Sequence, residues 1–135
     1  MVNVDEIFQR LNDIRRALGF LKSIKKDHLE IEEKLLLSRY HLQMMLEAMF
    51  AIGNQIISNK VFRKPANYRD ILVILHENKI LSKELYNNLV DFADLRNRIV
   101  HTYWKISTDG MLEIIEKRLI YFEEFAKVVA KYVGP

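Results

Sequence analysis

Residues 94–104 read Asp-Leu-Arg-Asn-Arg-Ile-Val-His-Thr-Tyr-Trp and gather two arginines, an asparagine, a histidine, a tyrosine and the chain's single tryptophan. These side chains suit proton transfer beside an anion. Histidine changes charge near neutral pH and can give or take a proton there. Arginine is a permanent cation whose planar fork of donors fits phosphate. Spacing decides which of them act together. On a helix of about 100° per residue, Asn97 and His101 are neighbours four positions apart, and Arg96 and Tyr103, seven apart, share a stripe. Arg96 and His101 are five apart, about 140° from each other on an ideal helix. A site using both needs arginine's reach, a frayed helix end, or a second copy of the chain related by a two-fold axis. Each residue alone has a plainer role: a solvated arginine, a histidine favoured by the dipole at a helix C-terminus, aromatic residues that anchor packing.

The elements that must position this stretch are helices. Only four glycines and two prolines occur in 135 residues, and one of each falls in the last two positions. So few breakers predict a mostly helical chain. Val4, Ile7, Phe8, Leu11, Ile14, Leu18, Leu21 and Ile24 recur at three- and four-residue steps, which predicts an amphipathic helix over about 3–26. Gly19 within it is expected to mark a close crossing, since it costs about 1 kcal/mol relative to alanine. A second helix, about 30–58, is apolar almost all round in "LQMMLEAMFAIGNQII" and should be central or shared with a second subunit. Glu47, its lone acid there, reads as a solvent-facing or cap-bonded carboxylate. A short helix follows, N-capped by Asn67 with Asp70 in its first turn. Ser82 caps a long helix through His101 with Leu85, Leu89, Phe92, Leu95 and Ile99 inward. Ser107 or Thr108 caps the last, about 109–132, which rests on Leu112, Ile115, Leu119, Phe122, Phe125, Ala126 and Val129. The expected fold is an all-α, up-and-down bundle of four long helices plus one short one, occupying residues 1–135 as a single domain.

Composition narrows the function classes. Half the residues are hydrophobic and 29% are charged, with a net charge of +3. That is a globular composition whose mild positive charge permits a polyanionic partner without requiring one. There is no cysteine, so thiolate metal sites, disulfides and cysteine nucleophiles are excluded, in keeping with a reducing cytoplasm. No signal-peptide core or run of about 20 apolar residues is present, and no membrane association is expected. His28, His41 and His76 show no ligand spacing and read as surface or cap residues, so no metal and no cofactor are expected.

The stretch Arg96-Asn97-Arg98-Ile99-Val100-His101-Thr102-Tyr103 resembles the signature of the HEPN superfamily: arginine-asparagine, three residues, histidine, one residue, tyrosine. It is similar to the branch that includes the HepT toxins of toxin–antitoxin pairs. The order and lengths of the helices resemble that branch along the whole chain. One departure is Ile106-Ser107, where family members often carry Ile-Asp; serine caps a helix as well as aspartate does. The resemblance implies an α-helical homodimer with its two motifs meeting at a cleft, and metal-independent cleavage of RNA. In that reading Arg96 and His101 are catalytic and Asn97 orients the histidine or a nearby hydroxyl. Arg98 and Lys105 touch backbone phosphates. The implied partner is a nucleotidyltransferase antitoxin of the MntA type, which attaches AMP to Tyr103 and silences the toxin. Two other classes compete with this one. The chain could be a non-catalytic adaptor that binds nucleotide or RNA for a nucleotidyltransferase, or a helical dimerisation module with no ligand.

Overall fold

The computed structural model describes residues 4–101 and 106–134, and for residues 98–101 the backbone alone. Among the described residues seven α-helices follow one another: α1 (Val4–Lys22), α2 (Glu32–Asn59), α3 (Tyr68–Glu77), α4 (Lys83–Leu89), α5 (Phe92–His101), α6 (Thr108–Glu113) and α7 (Leu119–Val133). A 3-10 turn spans Lys26–Glu30, and a π-helical turn, Ile114–Arg118, joins α6 to α7. The result is the expected all-α bundle. Two of the expected long helices, the one from residue 83 to 101 and the one over about 109–132, are each interrupted once. No described helix is long and apolar enough to cross a membrane.

The core assembles around α2. Its C-terminal half buries Met45, Leu46, Met49, Phe50, Ile52, Ile56 and Ile57, which is why that stretch is apolar on nearly every face. Helix α1 lies along α2 and α7, α3 and α5 pack on α2, and α4 bridges α3 and α7. In α1 the buried stripe runs through Ile7, Leu11, Ile14, Leu18 and Leu21 as its spacing predicts. The helix stops at Lys22 rather than near residue 26, because Ser23 turns the chain, its hydroxyl donating to the Phe20 carbonyl at 2.6 Å. Gly19 faces open space, so it marks no crossing. The close approach lies at Gly53, where a Cβ would stand 2.5 Å from Ile71 Cγ2 and 3.3 Å from Leu75 Cδ1. Helix α3 crosses α2 there.

Caps set the boundaries. The side chains of Asn67, Ser82 and Ser107 accept from the backbone N–H of Asp70, Leu85 and Gly110 at 2.8, 3.1 and 3.0 Å. Of the two candidates for the last cap, Ser107 serves. Helices α2 and α3 stop without glycine. Val61 and Lys79 take the left-handed conformation at φ 56° and 64°. The next residues donate back across the turn, Phe62 to Ile57 and Ile80 to Leu75. This is the six-to-one bond of a Schellman ending.

The chain turns at Val90–Asp91, between α4 and α5. Arg118, at the end of the π-turn, braces the break. Its Nη2 donates to the Asn88 carbonyl at 3.1 Å and to Asp91 Oδ1 at 2.8 Å, and its guanidinium lies 4.2 Å from the centroid of Phe92. The π-turn also shifts the inward stripe of the closing helices. Met111 and Ile114 are buried while Leu112 and Ile115 are half-buried. A π-turn holds one residue more than an α-turn, so the stripe steps five from Ile114 to Leu119 and then runs regularly through Phe122, Phe125, Ala126 and Val129.

Candidate functional site

Arg96 sits in the middle of α5, four residues past the α4–α5 break. With Leu95 buried beside it, an ideal helix turns Arg96 toward the flank of α2. There its Nε donates to Glu47 Oε1 at 2.8 Å and its Nη2 reaches Glu47 Oε2 at 3.4 Å. The guanidinium carbon lies 4.0 Å from the centroid of Tyr68, the first residue of α3. Only 12% of the Arg96 side chain is exposed, against 36% for Glu47. Three helices thus supply one group each to a single polar junction. The guanidinium carries five N–H donors. Among the described residues, Glu47 alone accepts from it, through two of the five.

Glu47 does face solvent in part, as expected, but it is not a cap; it is the ion-pair partner of Arg96. Its isolation among methionines and aromatics was the visible signal, but its partner lies 49 residues away in sequence. Tyr68, Arg39 and Arg118 gave no such signal. Arg39, also on α2, donates from Nε to the Ile106 carbonyl at 2.9 Å. Helix α2 therefore holds the chain on both sides of residues 97–105. Asn97 is exposed. The backbone of His101 closes α5, but its side chain and that of Arg98 lie outside the described residues, as do Tyr103 and Lys105 altogether.

The other histidines have structural company. His28 Nδ1 accepts from the Lys25 N–H at 3.1 Å, a capping contact as expected. His76 Nδ1 lies 3.0 Å from the Leu81 carbonyl, and its ring stacks on Tyr86 at 5.4 Å. His41 stacks on Phe20 at 4.2 Å, and burial there lowers its pKa from the ordinary 6.5. Among the described residues no three histidine, aspartate or glutamate side chains converge as a metal site would require.

Beside the Arg96 junction lies a cavity of about 330 Å³, walled by Glu47, Phe50, Asn54, Pro65 and Tyr68 among others. Two of these, Glu47 and Tyr68, are the groups that hold Arg96. A fixed guanidinium next to a cavity lined by rings and an amide can hold a phosphate and leave room for what the phosphate carries.

A family model described as ribonuclease HepT-like matches residues 10–129. The chain is 26% identical over 128 residues to an mRNA nuclease HepT of Shewanella oneidensis, covering 93% of this chain and 96% of that protein. It is also 26% identical to a tRNA nuclease HepT of Aphanizomenon flos-aquae, across 98% of this chain and 95% of the other. Among solved structures it superposes with a TM-score of 0.84 and 25% identity on a tri-AMPylated Shewanella oneidensis HEPN toxin in complex with its MNT antitoxin, over 94% of this chain and 98% of that one.

Proposed function

The chain belongs to the ribonuclease HepT-like family, and from that premise we propose that it is a toxin ribonuclease. In this reading it is a single helical domain that cleaves RNA without a metal ion, using Arg96 and His101 at the cleft of a homodimer. The observation that carries the reading is the setting of Arg96. A helix-surface arginine is ordinarily solvated, whereas this one is nearly covered and gripped by Glu47 and Tyr68 beside a cavity. The relatives' names, an mRNA nuclease and a tRNA nuclease, support RNA as the substrate class.

RNA brings its own nucleophile, the 2′-hydroxyl. One His101 takes the proton from that hydroxyl as its oxygen attacks the adjacent phosphorus. The His101 of the second protomer protonates the departing 5′-oxygen, leaving a 2′,3′-cyclic phosphate and a 5′-hydroxyl. Arg96 stabilises the charge that builds on the phosphoryl oxygens. Asn97, one turn before His101, orients the imidazole or holds a ribose hydroxyl. Arg98 and Lys105 contact flanking phosphates. The homodimer is supported by exposed apolar residues on α2: Leu37, Tyr40 and Met44 recur at three- and four-residue steps on a line that continues to Glu47. A nucleotidyltransferase antitoxin is the partner, supported by the AMPylated complex of the relative. The Tyr103 hydroxyl attacks the α-phosphorus of ATP, pyrophosphate leaves, and the tyrosyl AMP occupies the phosphate site and repels RNA.

The test uses the purified full chain, a structured RNA and a chelator, with end-group analysis of the products. Wild type should release cyclic phosphate ends. Arg96→Lys keeps the charge but loses the fork, and His101→Ala loses the proton carrier; each should slow cleavage at least about a hundredfold with an unchanged sedimentation coefficient. Tyr103→Phe should cleave nearly as wild type yet gain no AMP mass when coexpressed with the transferase. Cleavage at the wild-type rate by either motif variant, or a persistent mass gain in Tyr103→Phe, removes the corresponding assignment.

A further inference from the structure

We propose that the cavity beside Arg96 is a subsite for one nucleobase of the substrate RNA, with Asn54 reading the edge of that base. The inference rests on the ribonuclease reading for its ligand but on separate residues for its argument. A volume of about 330 Å³ lies at the small end of ligand sites, which run from about 300 to 1,000 Å³. One wall is aromatic: Tyr68 and Phe50 meet edge to face with ring centroids 5.2 Å apart. Pro65 adds a third ring. Phe50 itself is buried, so the flat surface left for the face of a base comes from Pro65 and Tyr68, and stacking does not depend on which base it is.

The polar groups in the wall carry the discrimination. The exposed Asn54 amide offers a paired donor and acceptor, the complement of a base edge. Glu47 accepts from Arg96 and retains lone pairs for a base N–H. No lysine or arginine is among the described residues of the wall, and the N-terminus of α3 there already holds the Asp70 carboxylate, which accepts from the Ala66 N–H, so the guanidinium outside is the stronger partner for a phosphate. The cation is not itself a wall residue; Arg96 meets the wall through Glu47 and Tyr68. That division places the phosphate at Arg96 and an uncharged planar group in the cavity, which is the make-up of one nucleotide.

The experiment compares the full-length wild type with Asn54→Leu on two readouts. The first is kcat/KM for oligoribonucleotides that differ in one base at each position flanking the cut. Wild type should spread about tenfold or more between bases at one position, the discrimination expected of a paired hydrogen bond, and Asn54→Leu should flatten the spread. The second readout is the Asn54 side-chain amide in NMR spectra of the wild type titrated with nucleosides and, separately, with inorganic phosphate. Nucleosides should shift the amide and phosphate should not. If wild type cleaves nothing but nucleosides still shift the amide, the subsite stands and the ribonuclease reading falls. The subsite is overturned if no flanking position discriminates in the wild type, if Asn54→Leu keeps the wild-type spread, or if nucleosides leave the amide unmoved. A change of oligomeric state in Asn54→Leu overturns it as well, because the cavity would then belong to the contact between protomers.

Discussion

Replacing Glu47 by glutamine leaves Arg96 an acceptor of nearly the same shape but removes the charge opposing its own. The guanidinium is then free to leave the side of Tyr68 for solvent. Misplacement by about 1 Å can cost on the order of a hundredfold in rate, so kcat for RNA cleavage should fall by about that factor in Glu47→Gln. Full activity in that variant would reduce the ion pair to a packing contact. His41 supplies a prediction of another kind. Its partial burial beside Phe20 disfavours the charged imidazolium and lowers its pKa from the ordinary 6.5. The unfolded chain therefore takes up a proton near pH 6.5 that the folded chain refuses until lower pH, and stability falls across that window as the pH falls. Thermal midpoints measured between pH 7.5 and 5 should decline more steeply for wild type than for His41→Phe. Sequence showed Arg96 as a residue of interest through its neighbours, showed Asn67 and Ser82 as caps because capping is a local interaction, and narrowed the last cap to Ser107 or Thr108. It could not show Glu47 as a partner, because the pair forms only when α5 docks on α2.

At the scale of elements, two of the helical glycines, Gly19 and Gly53, make opposite predictions from one substitution. Gly19 is exposed and a Cβ there meets nothing within 4 Å, so Gly19→Ala should stabilise by about 0.5–1 kcal/mol through helix propensity. Gly53 lies under α3, and the Ile71 methyl that a Cβ would strike belongs to a stiff β-branched side chain. Gly53→Ala should therefore destabilise by about 1–3 kcal/mol, the usual cost of overpacking. Denaturant titration of both variants checks the contrast. The same distinction explains what periodicity revealed. Stripes in α1 and α7 were legible because each obeys one period from end to end. The α4–α5 break and the π-turn were not, since Arg118 is drawn to Asn88 and Asp91 across 30 and 27 positions of sequence. The ends of α2 and α3 were legible where the apolar pattern stops, but their left-handed geometry at Val61 and Lys79 was not, because glycine, its usual marker, is missing from both.

For the whole molecule, the exposed line along α2 should be the seam between protomers. Tyr40 is 55% exposed and Leu37 44%, and α2, at 28 residues, is a rod of roughly 42 Å. Leu37→Glu would place two like charges across a two-fold contact and should convert the dimer to a folded monomer that no longer cleaves RNA, as read by sedimentation and end-group analysis. An active monomer would show that one chain carries a complete site. That α2 is central was legible from its composition, whereas the division of its apolar faces between core and outside was not, because both call for the same residue types. The same rod grips the chain at two points, Arg96 through Glu47 and Ile106 through Arg39. Any molecule that pulls on the span between those grips strains the rod along which the protomers would pair. Affinity for that molecule and affinity between protomers are then thermodynamically linked: whatever factor one changes in the other is returned in equal measure. RNA that tightens the pair would be held more firmly by it, and an AMP group that loosens the grips would work at a distance as well as by blocking the way in.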